Sequence, residues 1–480
     1  MNMIERRQFY IDGAWVDPVD GRDVQVIDPC TEMPCAVISM AGPADVDRAV
    51  AAAKAALPAW MVTPPGERIA AVERFLRAYE ARIEDVARAV SLEMGAPIDL
   101  ARRAQAPLAI KHIKGFLAAA RDFAFEAPLS PQDDGTRIIH EAAGVCALIT
   151  PWNWPLNQIS LKTIAALLAG CTMVLKPSEE SPLSALLWAE CIDAAGLPKG
   201  VFNLINGDGA GAGTMLSRHP DVDMVSFTGS TRAGIAISKA AADTLKRVHL
   251  ELGGKGANLI FADAEPGAVE RGVRQMMNNT GQSCNAPSRM LVQRDVYPEA
   301  VRIAAEVAGR LTVGPSSAEG PHLGPVVNRA QWNRIQGLIR TGIAEGARLV
   351  AGGVGLPDDV EKGYYVRPTV FADANNAMTI AREEIFGPVL TIIPFDTEEE
   401  AIAIANDTSF GLSNYVQTAD PDRARRVARA LRSGMVELNG TPRGPGAPFG
   451  GMKQSGNGRE AGVWGLQDFL EVKAVGGWSA

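Results

Sequence analysis

The sequence predicts an α/β fold of more than one domain, including a Rossmann-like parallel sheet, and three observations carry that prediction. The chain has 480 residues, more than one hydrophobic core usually serves. Hydrophobic residues make up 47% of it, ample for large buried cores. From Gly144 onward, short apolar runs alternate with helix-like stretches. Apolar strands with no inside-outside alternation belong to parallel sheets covered on both faces, the usual platform for a nucleotide.

The elements follow in order. Phe9 to Ile11 and Ala14 to Val16 flank an Asp12-Gly13 turn and read as an opening hairpin. Ala-rich stretches through Ala44 to Trp60, Gly66 to Met94 and Ile98 to Phe123 read as helices, with Pro and Gly marking the breaks. Val145 to Ile149 is expected as strand, Leu156 to Leu168 as helix, Thr172 to Leu175 as strand and Pro182 to Ala195 as helix. Ser181 is placed to cap that last helix, and Gly196 with Pro198 ends it. Val201 to Ile205 and Met224 to Phe227 supply further strands. A second α/β region runs from about Gly253 to Gly434, with strands at Ala257 to Phe261, Met290 to Val292 and Val389 to Ile393. The polar, proline-broken segment Arg121 to Glu141 and the β-prone tail Leu470 to Trp478 suit edge or interface strands.

Composition removes several classes of function. A net charge of −8 gives no general attraction to nucleic acid or to an anionic membrane surface. The longest apolar run, Ile164 to Leu175, falls short of the ~20 residues that a spanning helix needs. A cytoplasmic protein is expected. Six scattered cysteines form no Cys-x-x-Cys pair and five histidines show no ligand spacing, so neither a disulfide framework nor a metal is expected.

One cysteine differs in setting. Asn278 to Ser288 puts Cys284 in a polar, glycine-containing segment, where free backbone N–H groups would favour a thiolate; the alternative is a small packing residue. Pro151-Trp152-Asn153-Trp154-Pro155 follows a strand and fixes an amide between two indoles, a suitable oxyanion donor. Glu251 ends an apolar run, where desolvation would raise its pKa toward a useful general base, although a surface carboxylate is the alternative. Lys176-Pro177-Ser178-Glu179, at the carboxyl end of a strand, offers a cation and a carboxylate to a ribose or else forms a solvated loop. Three glycine turns compete for a pyrophosphate: the one holding Gly209, the one holding Gly229 and Ser230, and Leu252-Gly253-Gly254-Lys255.

Together with Phe227-Thr228-Gly229-Ser230, Glu383-Glu384-Ile385-Phe386-Gly387-Pro388 and Pro448-Phe449-Gly450-Gly451, these motifs stand in the order seen in the aldehyde dehydrogenase superfamily, which the chain resembles over nearly its whole length. Glu251 and Cys284, 33 positions apart, keep the family spacing. The resemblance implies that Cys284 attacks an aldehyde, Asn153 holds the oxyanion and Glu251 activates water to release a carboxylic acid. It implies an NAD site, with NADP as an alternative, formed by Ile149, Trp152, Lys176, Ser178, Glu179, Gly209, Gly229, Ser230, Leu252, Glu384 and Phe386. It implies an NAD-binding domain at 1–121 and 142–252, a catalytic domain at 253–469, and an oligomerisation extension at 122–141 and 470–480 that makes a homodimer or homotetramer. Oxidation with CoA in place of water, and a non-catalytic scaffold, are the alternatives. Glu437 departs from the family pattern, which more often has an apolar residue there.

Overall fold

Two sheets face each other across one cleft, the first by the carboxyl ends of its strands and the second by the amino ends of its own. The coordinates are a computed structural model that describes residues 3–478. Residues 1, 2, 479 and 480, which fall in the first and last expected domain spans, lie outside the described residues.

The first sheet has the order Gly456–Asn457, Arg247–Glu251, Met224–Thr228, Val145–Ile149, Thr172–Lys176, Phe202–Leu204, Phe9–Ile11, Ala14–Val16. Its five central strands are parallel, and the short strand at one edge and the hairpin at the other pair antiparallel. The expected hairpin forms, with Asp12 and Gly13 both at positive φ (54° and 71°), the geometry that a two-residue turn demands. Every residue of Val145–Ile149, Thr172–Lys176 and Met224–Thr228 is buried, as the apolar runs require. The chain builds outward from Val145–Ile149 in one direction and then returns to build outward in the other. The switch therefore lies between Val145–Ile149 and Met224–Thr228, the position where open α/β sheets leave a crevice beyond the strand ends.

The second sheet runs Arg348–Ala351, Thr369–Ala372, Val389–Phe395, Arg289–Gln293, Ala257–Ile260, Ser413–Gln417, Met435–Leu438, parallel but for its first pair. A third, antiparallel sheet joins Leu470–Gly476, Asp133–Ala142 and Glu126–Ser130, so the polar segment and the tail do meet.

Two helix expectations need correction. The stretch from Gly66 to Met94 is two helices, Pro65–Ala81 and Ile83–Met94, broken at Arg82 (φ −111°), and the one from Ile98 contains a π-turn at Ala101–Gln105. Ser181 does not cap Pro182–Ala194, and its hydroxyl is buried without a partner. Glu93, fully buried, supplies the cap from another helix by accepting from the N–H groups of Leu183 (2.5 Å) and Ser184 (3.1 Å). A carboxyl group outcompetes a hydroxyl there because its two oxygens meet two orphan donors at once, although burial pushes its pKa up to about 8.

Candidate active site

The segment that carries Cys284 begins where helix Ala268–Met277 stops. Asn279, Thr280 and Gly281 take successive left-handed conformations (φ 52°, 57° and 70°). A β-branched threonine pays on the order of 1–3 kcal/mol there, so the turn persists only because its surroundings hold it. Asn279 Nδ2 donates to the carbonyls of Asn153 (3.0 Å) and Gln282 (3.2 Å), and Thr280 Oγ1 donates to that of Gly324 (3.0 Å). Gly281 cannot be replaced, since a Cβ would stand 2.2 Å from the Gly387 carbonyl oxygen. The result presents Cys284, partly exposed, to the cleft. Burial pushes its thiol pKa up, and the carboxyl groups of Glu384, Glu251 and Glu460 push the same way.

Asn153, 4% exposed, donates through Nδ2 to the Gln282 carbonyl at 3.1 Å, which ties the amide to the loop that carries the sulfur and leaves its second N–H free. Gln105 braces both, donating to the Asn153 carbonyl (3.1 Å) and to Asn279 Oδ1 (3.2 Å). Glu251 ends its strand, is 1% exposed, and neither of its oxygens has a hydrogen-bond partner among the described residues. Burial and then Glu460 drive its pKa well above the usual carboxylate range, opposed by Lys162 and Arg459. Room for its carboxyl comes from Gly450, where a Cβ would lie 2.5 Å from Oε1.

The cleft, about 610 Å³, is lined by Trp152, Asn153, Gly229, Ser230, Leu252, Cys284, Glu384 and Phe386 among the expected site residues. The Trp152 and Phe386 rings meet edge to face at 5.4 Å. Glu384 accepts from the Gly254 N–H at 2.9 Å, and burial raises its carboxyl to about 7. Ser230 caps helix Thr231–Ala241, its Oγ 3.3 Å from the Ala233 N–H. The first turn of that helix opens on the cleft, where free N–H groups suit a phosphate.

The other expected residues, Glu251, Ile149, Lys176, Ser178 and Gly209, do not line the cleft, and Glu251 lies just behind Leu252 of its wall. Ile149 ends its strand inside the core, 4% exposed. Buried Lys176 donates to the carbonyls of Gly207 (2.6 Å) and Pro177 (3.0 Å) and lies 3.8 Å from Glu179, one-third exposed; burial lowers the lysine pKa. Ser178 accepts from the Glu180 N–H at 3.2 Å. Gly209 is exposed and begins a π-turn whose Gly211 N–H is already held by Asp208 at 2.5 Å. An acidic side chain filling that loop makes it a poor phosphate cradle, despite its formal glycine pattern.

Lys162 and Glu460 went unread in the sequence. Lys162 lies in Pro155–Ala169, a helix buried at every position but Asn157, and its Nζ meets Glu460 Oε1 at 2.6 Å. A single lysine in an apolar helical run was the available signal, because such a charge needs a buried partner. Beside the cleft, on the other side of the nucleophile turn, a cavity of about 810 Å³ is lined in part by Asn278 to Thr280, Arg103, Glu437, Gly440 and Pro442 and holds none of the three catalytic candidates. Among the described residues no group of three metal-binding side chains occurs, and no helix is long and apolar enough to cross a membrane.

A family model described as the aldehyde dehydrogenase family matches residues 15–475. A 3-succinoylsemialdehyde-pyridine dehydrogenase of a Pseudomonas species is 52% identical over 99% of both chains. Among solved structures, an aldehyde dehydrogenase from Bartonella henselae superposes with a TM-score of 0.98 at 55% identity, covering 99% of this chain and 100% of that one. A cysteine-to-alanine mutant of aldehyde dehydrogenase C from Pseudomonas syringae, complexed with NAD+ and octanal, gives 0.96 at 49% identity over 98% and 97% of the two chains.

Proposed function

The chain belongs to the aldehyde dehydrogenase family and oxidises aldehydes, and from that premise we propose that it does so with NAD and water, releasing the carboxylic acid. One observation carries the reading: a partly exposed cysteine and an amide with a free N–H line a single cleft, and the buried, unpartnered carboxyl of Glu251 stands directly before Leu252 of its lining, near enough for its charge to act on the thiol. A dinucleotide fits the adjoining residues. The N-terminus of helix Thr231–Ala241 would take the pyrophosphate, Glu179 with Lys176 a ribose, and Glu384 with the Trp152–Phe386 edge the nicotinamide end. When bound, the dinucleotide supplies the hydride acceptor.

The roles follow from chemistry. Cys284 attacks the carbonyl carbon, and Asn153 steadies the oxygen as charge develops on it. Glu251, which holds a proton at rest, must give it up before it can take one from water, and the nearby Lys162 and Arg459 favour that release. CoA-dependent acyl transfer would have no use for a base in that position. The domain spans given above are part of the same reading, as is an oligomer built through the third sheet. The cytoplasm is a suitable setting, because all six cysteines are free thiols.

The test is NADH formation from NAD and a panel of aldehydes, with and without CoA. Octanal and 3-succinoylsemialdehyde-pyridine belong on that panel, since the relatives were crystallised with the one and named for the other. Turnover without CoA is expected, and the Cys284→Ala variant serves as control. Turnover only with CoA, or from that variant, would overturn the reading.

A further inference from the structure

We propose that Arg443 and Asn157 form a donor wall on the substrate side of Cys284, and that it selects aldehydes whose carbon chain carries a neutral hydrogen-bond acceptor over plain aliphatic ones. A ketone oxygen or an aromatic ring nitrogen is the acceptor in view. This rests on the reading of Cys284 as the nucleophile.

The placement comes from contacts on both flanks of the sulfur. On one flank, Tyr415 donates its hydroxyl to the Asn285 carbonyl at 2.6 Å, next to Cys284. Glu437 is registered beside Tyr415 in the adjacent parallel strand and so shares its face of the sheet. Arg443 reaches Glu437 through Nε at 3.3 Å and the Pro448 carbonyl through Nη1 at 3.2 Å, and lies over the Phe449 ring at 5.3 Å. On the other flank, Trp154 Nε1 donates to Ser283 Oγ at 2.8 Å. Asn157 stands three residues on, within the first turn of helix Pro155–Ala169, and is the one position of that helix not buried. Neither Arg443 nor Asn157 lines the dinucleotide cleft.

Both side chains keep donors in reserve. Arg443 Nη2 has no hydrogen-bond partner among the described residues, because its two bonds use Nε and Nη1. Asn157 Oδ1 is taken by His112 Nε2 at 2.7 Å. An amide oxygen only accepts, so His112 Nε2–H is the donor and the Asn157 amide N–H groups are left free.

The choice of a neutral acceptor follows from Glu437. Its carboxylate offsets the guanidinium, so a carboxylate tail on the substrate would meet a like charge where an acceptor without charge meets only open donors. The acidic residue that departs from the family pattern is thereby accounted for as the partner of Arg443.

The experiment compares kcat/KM for hexanal, 4-oxohexanal and succinic semialdehyde with NAD in the parent, Arg443→Met, Arg443→Lys and Asn157→Leu. The parent should favour 4-oxohexanal over both others. Arg443→Met should cut the 4-oxohexanal-to-hexanal ratio by roughly tenfold, Arg443→Lys by less, and Asn157→Leu by a few-fold. The ratio cancels general damage from a poorly folded variant. A ratio unmoved by either Arg443→Met or Asn157→Leu, or a parent that prefers succinic semialdehyde, overturns the wall. A parent that oxidises none of the three overturns the dehydrogenase reading and the wall together.

Discussion

Cys284 at rest is a protonated thiol and Glu251 a protonated carboxyl, because desolvation disfavours the charged form of each and each would add negative charge beside the other. Only one of them can shed its proton cheaply at a time. Glu251→Gln leaves attack possible but removes the base for water, so one NADH per site followed by a stall is expected in a rapid-mixing trace. Normal steady turnover in that variant would remove Glu251 from the role. The sign of the pH effect follows from the raised pKa: the base works only when ionised, so the parent's steady rate should climb as pH rises through the neutral and alkaline range. Glu179 is read out differently. Its carboxylate, one-third exposed beside Lys176, would repel a phosphate on the adenine ribose, so NAD should be preferred to NADP. Relief of about 1.4 kcal/mol in Glu179→Gln would raise kcat/KM for NADP roughly tenfold. A variant whose cofactor preference does not move would show that Glu179 does not face the ribose.

At the scale of elements, Glu93 is the capping residue that the first turn of Pro182–Ala194 depends on, and that helix follows directly on the Lys176 to Glu179 loop. Glu93→Ala leaves two buried N–H groups unmet, which costs about 1–3 kcal/mol. Urea unfolding should report that loss. The KM for NAD should rise with kcat little changed, because the loop is displaced and the nucleophile is not; equal damage to both would mean that Glu93 acts on the whole fold. The same helix marks a limit of reading from sequence. Local pattern found the strand and the helix, since apolar runs and Pro-Gly punctuation are local signals. It named Ser181 as the cap because the true cap is 90 positions away, and a contact at that distance leaves no trace in local spacing. Cys284, Asn153 and Glu251 were legible because each stands in a motif of its own. Gln105 and Lys162 were not, because their roles exist only once helices from different parts of the chain have packed.

For the whole molecule, the third sheet is the exposed part. In Leu470–Gly476 only Leu470 is buried, and Val472 is 66% exposed on that edge strand. Apolar surface on an open strand suits an interface between copies, and the species in solution is expected to be a dimer or tetramer. Val472→Asp should shift light-scattering mass toward smaller species while the isolated fold survives. An unchanged mass would place the interface elsewhere.

The last strand of the first sheet, Gly456–Asn457, pairs with Leu250 and Glu251, and the Ser455 carbonyl accepts from the Leu252 N–H at 3.0 Å. Gly450 leaves space for the same carboxyl by having no side chain, and the charge of Glu460 acts on it. Glu251 thus receives its setting from residues 450–460, far along the chain from its own strand. A chain cut short at residue 448 should accordingly form no acid from aldehyde and NAD, and steady acid formation by it would show that Glu251 needs none of these contacts.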